Sequence, residues 1–435
     1  MINYSELRLD SGGTLYFKIA KLIEWLIVIL ALVIPLHGLI SSIISIVLFA
    51  GVLICVLLFG LRLPFKPQFS LICLILFSLF YLAHIVGVFY SCNMSFALFD
   101  LQVKLSLIAF PVVFFLISAF FPGALNPGRT LIAFATGVVI GSLIMIISAV
   151  VSYSATGNPG EFYSSLLSDA FHPTYYALYV VMAMISVTWC WLHDCCKLSS
   201  RNTILYAISW IWLFIFLVLL SSKAGLISLA IPVIYMLYVL HQKTRSLIPM
   251  IGFSAFFALI FTASFYLFPI SFGRFAVVAK TIETVTPDKG NASESTFQRI
   301  MLWKSAMRIL REHPLGGVGT GDVKQAFLED YTLTGNTAGQ EANLNAHNQY
   351  LQTSVALGLT GLLILVLTFL FPFIMAFRKG AWEYGAFLLL VAFNLLFESM
   401  LERQAGVMFY AFFNMVLFTA LNGEVVNHPV RSKPL

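Results

Sequence analysis

Charge is what this 435-residue sequence has least of. Asp, Glu, Lys and Arg make up 10% of it, hydrophobic residues 60%, and the mean hydropathy is +0.93. Soluble domains carry roughly 25% charged residues. A soluble domain with a single anchor is therefore excluded, and an all-α polytopic membrane protein is expected. Acids are scarcer than bases, and the net charge is +6. In a membrane chain such a surplus belongs to cytoplasmic loops, so it does not point to nucleic acid. Six cysteines form no framework. Cys55 and Cys73 lie in apolar runs, Cys92 stands alone, and Cys190, Cys195 and Cys196 cluster at one membrane edge. A Cys-Cys pair without a further ligand at metal spacing makes no zinc site. The polar start, residues 1–21, lacks a signal peptide's cleavage site and reads as a cytoplasmic tail. The two halves show no repeat, which argues against a flippase or secondary transporter.

Apolar runs long enough to span a bilayer fall at about 21–37, 39–60, 69–88, 103–121, 130–152, 173–192, 204–220, 224–240, 248–268, 350–377, 385–400 and 405–421. That is about twelve helices. The stretch from Arg201 to His241 is too long for one helix at 1.5 Å per residue, so a tight hairpin is placed at Ser221-Ser222-Lys223. With the N-terminus inside, every inner loop carries Lys or Arg: Arg62 and Lys66, Arg129, Lys197 and Arg201, Lys243 and Arg245, Arg378 and Lys379. The positive-inside rule is then met throughout, and both termini are cytoplasmic. Four regions follow: an N-terminal transmembrane bundle (1–268), an outer loop domain (269–349), C-terminal transmembrane helices (350–421) and a cytoplasmic tail (422–435). In a bacterium the outer side is the periplasm.

The loop between helices nine and ten is the polar exception. Ser295-Thr296-Phe297-Gln298 fits a capping box, which predicts a helix to Glu312. Its Arg299, Trp303, Met307 and Leu310, at i, i+4, i+8 and i+11, are expected on one buried face. His313-Pro314 ends it, the run Pro314 to Gly321 turns, and a second short helix is expected from Asp322 to Tyr331. The glycines lack the Gly-Lys-Ser/Thr ending of a P-loop, so a turn is expected there and not a phosphate cradle.

Several residues stand out chemically. His347 sits where the cap re-enters the bilayer and can exchange a proton near neutral pH, or serve as an interfacial polar residue beside Asn345, Asn348 and Gln349. An arginine on a buried face, Arg299, needs an anion, either a ligand or a loop acid such as Glu294 or Asp322. Lys223, Arg274 and Lys104 lie at outer helix ends, where positive charge is not favoured. Lys104 has Asp100 at i−4; Lys223 has no acid near it in sequence. Each of these cations alone fits snorkelling to headgroups. Together they fit an anionic ligand such as phosphate. His172 precedes Pro173 at a helix start and faces either that cavity or the helix packing. The outer loops contain no Asp-x-Asp, His-Glu-x-x-His or Gly-x-Ser-x-Gly, so no metal or cofactor is expected.

The sequence Arg299-Ile300-Met301-Leu302-Trp303-Lys304-Ser305-Ala306, the turn Pro314 to Thr320, the run His347 to Leu351 and Gly358 to Gly361 together resemble the O-antigen ligase and O-antigen polymerase superfamily of bacterial envelope enzymes. The resemblance implies a GT-C-like membrane fold. It also implies an inverting, metal-independent glycosyltransferase of the inner membrane. Such an enzyme passes glycan from undecaprenyl pyrophosphate to an acceptor hydroxyl, on lipid A–core in the ligases and on another lipid-linked repeat in the polymerases. His347 then matches the family's loop histidine and Arg299 its loop arginine. Lys223, Arg274 and Arg299 become the pyrophosphate contacts, with His172, Trp303, Asn348 and Lys104 as further candidates. The family's Ser-Arg or Thr-Arg step is Ser222-Lys223 here, which keeps the charge and loses the bidentate fork.

Overall fold

The structure is a computed structural model that describes residues 11–59, 70–169, 171–193, 200–273 and 295–422. Among these there is no strand. The helices are α1 (Ser11–Val33), α2 (Gly38–Phe59), α3 (Leu71–Val88), α4 (Met94–Lys104), α5 (Ser106–Phe120), α6 (Pro127–Thr156), α7 (Ser164–Leu167), α8 (Pro173–Leu192), α9 (Ser200–Leu219), α10 (Lys223–Ser228), α11 (Ala230–Thr244), α12 (Ile248–Leu267), α13 (Ser295–Glu312), α14 (Val323–Thr334), α15 (Thr337–Glu341), α16 (Gln349–Lys379), α17 (Trp382–Asn394) and α18 (Gln404–Asn422). Each expected span overlaps a helix, the one at 385–400 only as far as Asn394. Nine spans among the described residues are long and apolar enough to cross a membrane, with α4–α5 and α10–α11 each acting as one. The other three fall short for separate reasons. Helix α1 carries Lys18, Lys21 and Glu24, the apolar part of α9 is short, and α17 stops at Asn394.

Helix α8 forms the centre of the bundle. Every residue from Pro173 to Thr188 is buried, packed by α6, α9, α11 and α17. A helix apolar on all sides is stable either there or against lipid. Helix α12 takes the second option, with Ile251, Leu259 and Tyr266 exposed.

The cap is built on α13 to α15. A separate core joins Leu302, Ala306 and Ile309 of α13 to Phe327 and Tyr331 of α14 and to Val355–Leu357 of α16. The first turns of α16 therefore belong to the cap. The break lies at Gly358, whose φ of 65° and ψ of −163° no other residue adopts readily. A Cβ there would also meet the Leu315 carbonyl oxygen at 2.2 Å. Within the glycine-rich turn the N–H groups of Val318 and Gly319 donate to the carbonyls of Val355 and Ala356. Those donors are spent on protein, so the run is a docking turn and no phosphate cradle. The second cap helix begins at Val323 and reaches Thr334, a turn beyond the expected end.

The buried face of α13 is not the one expected. Leu302, Ser305, Ala306 and Ile309 point inward, while Met307 is 41% exposed and Trp303 lines an outer groove with Lys304, Arg308 and Arg311. At 100° per residue, Arg299, Leu302, Ala306 and Ile309 make one stripe, offset by a residue from the stripe expected. Small Ser305 and Ala306 let the helix approach its neighbours, a feature that apolar periodicity alone does not weigh.

Candidate active site

The segment leading into α16 is held by its own side chains. The Asn345 carboxamide oxygen accepts the His347 N–H at 3.0 Å, and Gln352 accepts the Ala346 N–H at 3.1 Å. Asn348 caps the helix by accepting the Leu351 N–H, and its own N–H donates to Ser399 Oγ. Between these anchors His347 is left with φ of +44°. A histidine in the left-handed region is strained by roughly 1–3 kcal/mol, and such strain persists only where the surroundings over-determine it.

The His347 ring reaches Glu398. Its Nδ1 lies 3.0 Å from one carboxylate oxygen, and Arg299 Nη2 donates to the other at 2.7 Å. Glu398 stands in the turn past the end of α17 and is 5% exposed. Burial pushes its carboxyl up, but the His347 hydrogen bond and the charges of His347, Arg299 and His172 outweigh burial and hold it below its ordinary value. An ionised carboxylate only accepts, so Nδ1 of His347 carries a proton and Nε2 is the nitrogen left to act as a base.

Two cavities open on either side of this triad. The smaller, about 260 Å³, is lined by Lys223, Arg299, Gln298, Ser222 and Thr174 among others. The larger, about 600 Å³, is lined by His37, Tyr175, Asn343, Asn345 and Arg403 among others. Among the described residues, His172, His347 and Glu398 line both. His172 is held below the ordinary imidazole value, first by desolvation and then by the positive charges of His347, Arg299 and Arg403, against the pull of Glu398.

Lys223 opens α10, whose N-cap Ser222 accepts the Gly225 N–H, and its ammonium donates to Thr296 Oγ1 at the start of α13. Ser221 just before it has φ of +52°. Of the five non-glycine residues with positive φ among the described residues, Ser164, Ser221, Asn343 and His347 line these two cavities. Strain concentrated there, and not spread over the loops, is the pattern that functional sites typically show.

The structure thus brings together His347, Arg299, Lys223 and His172. It places three other candidates elsewhere. Lys104 is fully buried, bonded to Asp100 at 2.5 Å and Glu402 at 2.8 Å, and lines neither cavity. Asn348 is spent on the helix cap, and Trp303 faces the outer groove. Arg274 and Glu294 lie outside the described residues, as do Cys195 and Cys196. Among the described residues the acid that pairs with Arg299 is Glu398 and not Asp322. Asp322 instead accepts the N–H groups of Cys92 and Asn93, both at 2.7 Å. Sequence reasoning missed Glu398 because it ran an apolar span from 385 to 400 through it, and it passed over Arg403 in the short link to the next span at 405. Two acids and an arginine within Glu398–Arg403, closing such a run, were the available signal.

Residues 208–366 match the family Wzy_C, described as O-antigen ligase. Over these residues the chain is similar to the O-antigen ligase family. The ligase-family match takes in Lys223, Arg299 and His347 and ends before Glu398 and Arg403. No curated protein matches the chain.

Proposed function

We propose that this protein is an O-antigen ligase of GT-C type, seated in a bacterial inner membrane with the cap in the periplasm and both termini in the cytoplasm. It takes glycan from undecaprenyl pyrophosphate and transfers it to a hydroxyl of lipid A–core. The observation that carries the reading is the placement of His347 and Glu398 at the wall between a cationic cavity and a larger one. The smaller cavity, with Lys223 and Arg299, suits the pyrophosphate of the donor, whose hydrocarbon tail stays in the bilayer. The larger suits the acceptor.

The acceptor oxygen attacks the anomeric carbon from the face opposite the leaving group. The bond from that carbon to the pyrophosphate oxygen breaks, and the pyrophosphate leaves with the electron pair. His347 Nε2 takes the hydroxyl proton, and Glu398 stabilises the resulting imidazolium through Nδ1. Charge grows on the pyrophosphate in the transition state, where Arg299 and Lys223 are already in place. Two fixed cations supply what a divalent ion would, so transfer is expected to persist in EDTA. Loss of activity on chelation, restored by one divalent ion, would reject this mechanism.

The test of function is glycan analysis of a deletion strain. Uncapped core with polymer accumulated on the carrier lipid is expected. A single repeat on the core would make the protein a polymerase, and blocked flipping of the carrier would make it a transporter.

A further inference from the structure

Among the described residues, the acids beside the two cavities are already committed. Glu398 is committed to Arg299 and His347, and Glu402 to Lys104 and Gln349. Arg403, next in sequence, is exposed, and among the described residues its side chain has no hydrogen bond or ion pair. Among the described residues it is the one Lys or Arg that lines the larger cavity, and Glu398 is the one carboxylate in that wall. A cation with no acid to answer it, facing a cavity of about 600 Å³, is poised for an anion.

The backbone that carries Arg403 is rigid. Glu398 and Ser399 tie the segment to the His347 loop, and the Gln349 side chain accepts the Leu401 N–H at 2.7 Å. The Arg403 carbonyl accepts the N–H groups of Gly406 and Val407 and starts α18. The fixed backbone holds the guanidinium within reach of the cavity, and its planar fork matches the oxygens of phosphate or carboxylate. Besides Glu398 and Arg403, the titratable groups in this wall are His37, His172, His347 and Tyr175, and neither an imidazole nor a phenol adds negative charge near neutral pH. Arg299 and Lys223 line the smaller cavity and not the larger, so Arg403 opens on a different cavity from theirs.

We propose that Arg403 is a specificity-determining contact of the acceptor, binding an anionic group of its saccharide, phosphate or carboxylate, that lies close to the accepting hydroxyl. The proposal rests on the reading of the larger cavity as the acceptor's seat. An acceptor with such a charge is oriented with its hydroxyl toward His347, and a neutral saccharide is not.

The full-length protein in lipid nanodiscs is given a lipid-pyrophosphate-linked glycan and three acceptors: native lipid A–core, the same material treated with phosphatase, and the same material with its carboxyls reduced. One of the two treatments is expected to raise the acceptor KM of the wild type by roughly ten- to a hundredfold, the range of a hydrogen-bonded charge. Arg403→Gln should raise the acceptor KM for native material equally and leave the donor KM in place, with Arg403→Lys between the two. The treatment that matters identifies the anion. Indifference of the wild type to both treatments, or an Arg403→Gln effect on the donor KM instead, overturns the proposal. Calorimetric binding of native core oligosaccharide, without donor, separates this from the functional reading. Should the wild type transfer nothing to any core, the ligase reading falls. Binding lost in Arg403→Gln still supports the anion site, and equal binding by both proteins refutes it.

Discussion

Two clusters of charge hang from one short stretch, Glu398 to Arg403, and they are built to opposite ends. At Glu402 the cluster is closed. Lys104 is 0% exposed, lies between Asp100 and Glu402, and Gln349 completes the acid's hydrogen bonds at 2.9 Å. At Glu398 the cluster is open. Arg299 and His347 keep 24% and 29% of their side chains exposed, and both face cavities. Buried ion pairs seldom add net stability, but breaking one is costly. The closed cluster therefore fixes where the stretch sits, and the open one uses that position. A variant in the first should be read as a loss of fold, and a variant in the second as a loss of transfer.

The largest expected effect is on transfer, at His347. His347→Ala should insert and bind donor, yet transfer about 10²- to 10⁴-fold more slowly, the usual contribution of a general base. His347→Gln keeps a hydrogen-bonding group and cannot take the proton. Near-normal turnover by that variant, measured on reconstituted protein, would leave His347 only the orienting role. Normal turnover by His347→Ala would remove the open cluster from the chemistry.

Next comes the closed cluster. Lys104→Met leaves Asp100 and Glu402 facing each other without a cation and should cost about 3–5 kcal/mol. Thermal denaturation in detergent reads this as a large fall in Tm. Combining it with Asp100→Asn and Glu402→Gln should recover most of the loss. A Lys104→Met protein of normal Tm and no activity would move this cluster into the active site and end the contrast.

Arg299→Ala and Arg311→Ala sharpen the comparison along one helix. Arg299 is on the inward stripe of α13, and Arg311 is exposed in the outer groove. The first should slow transfer about 10²-fold and the second should stay close to wild type. Equal losses in two folded proteins would place the anion on the other face.

The smallest effect is expected at a third pair, Arg308 and Asp330, which holds α13 to α14 through two bonds of 2.8 and 2.7 Å. Burial pushes the Asp330 carboxyl up, but its hydrogen bonds from Arg308 and Ser305 and the Arg308 charge hold it below its ordinary value. A depressed carboxylate contributes stability above the unfolded value, near 4, and loses it as pH falls through the folded one. Arg308 is 37% exposed, so screening limits the pair to at most about 1 kcal/mol. Arg308→Ala should flatten the acid side of the cap's stability profile slightly, as followed by hydrogen exchange in α14. An unchanged profile would show that the pair is worth nothing.

Much of this molecule can be read along the chain, and the reasons are local. Apolar runs have to match a bilayer's thickness, and each expected span overlaps a helix. The hairpin at Ser221 follows from the length of a helix, and the Lys104–Asp100 bond follows from i, i+4 spacing. His347 precedes its helix because Asn348 is a cap. What the tertiary structure decided are the partners across space. Arg299 meets an acid 99 residues away, His347 the same acid 51 residues away, and Lys104 a second acid 298 residues away. Hydropathy sums over a window and spacing repeats within one helix, so neither contains where two distant segments converge. That convergence depends on how α13, α16 and the Glu398–Arg403 turn pack, and it alone separates a cation buried for the fold from one left open for a ligand.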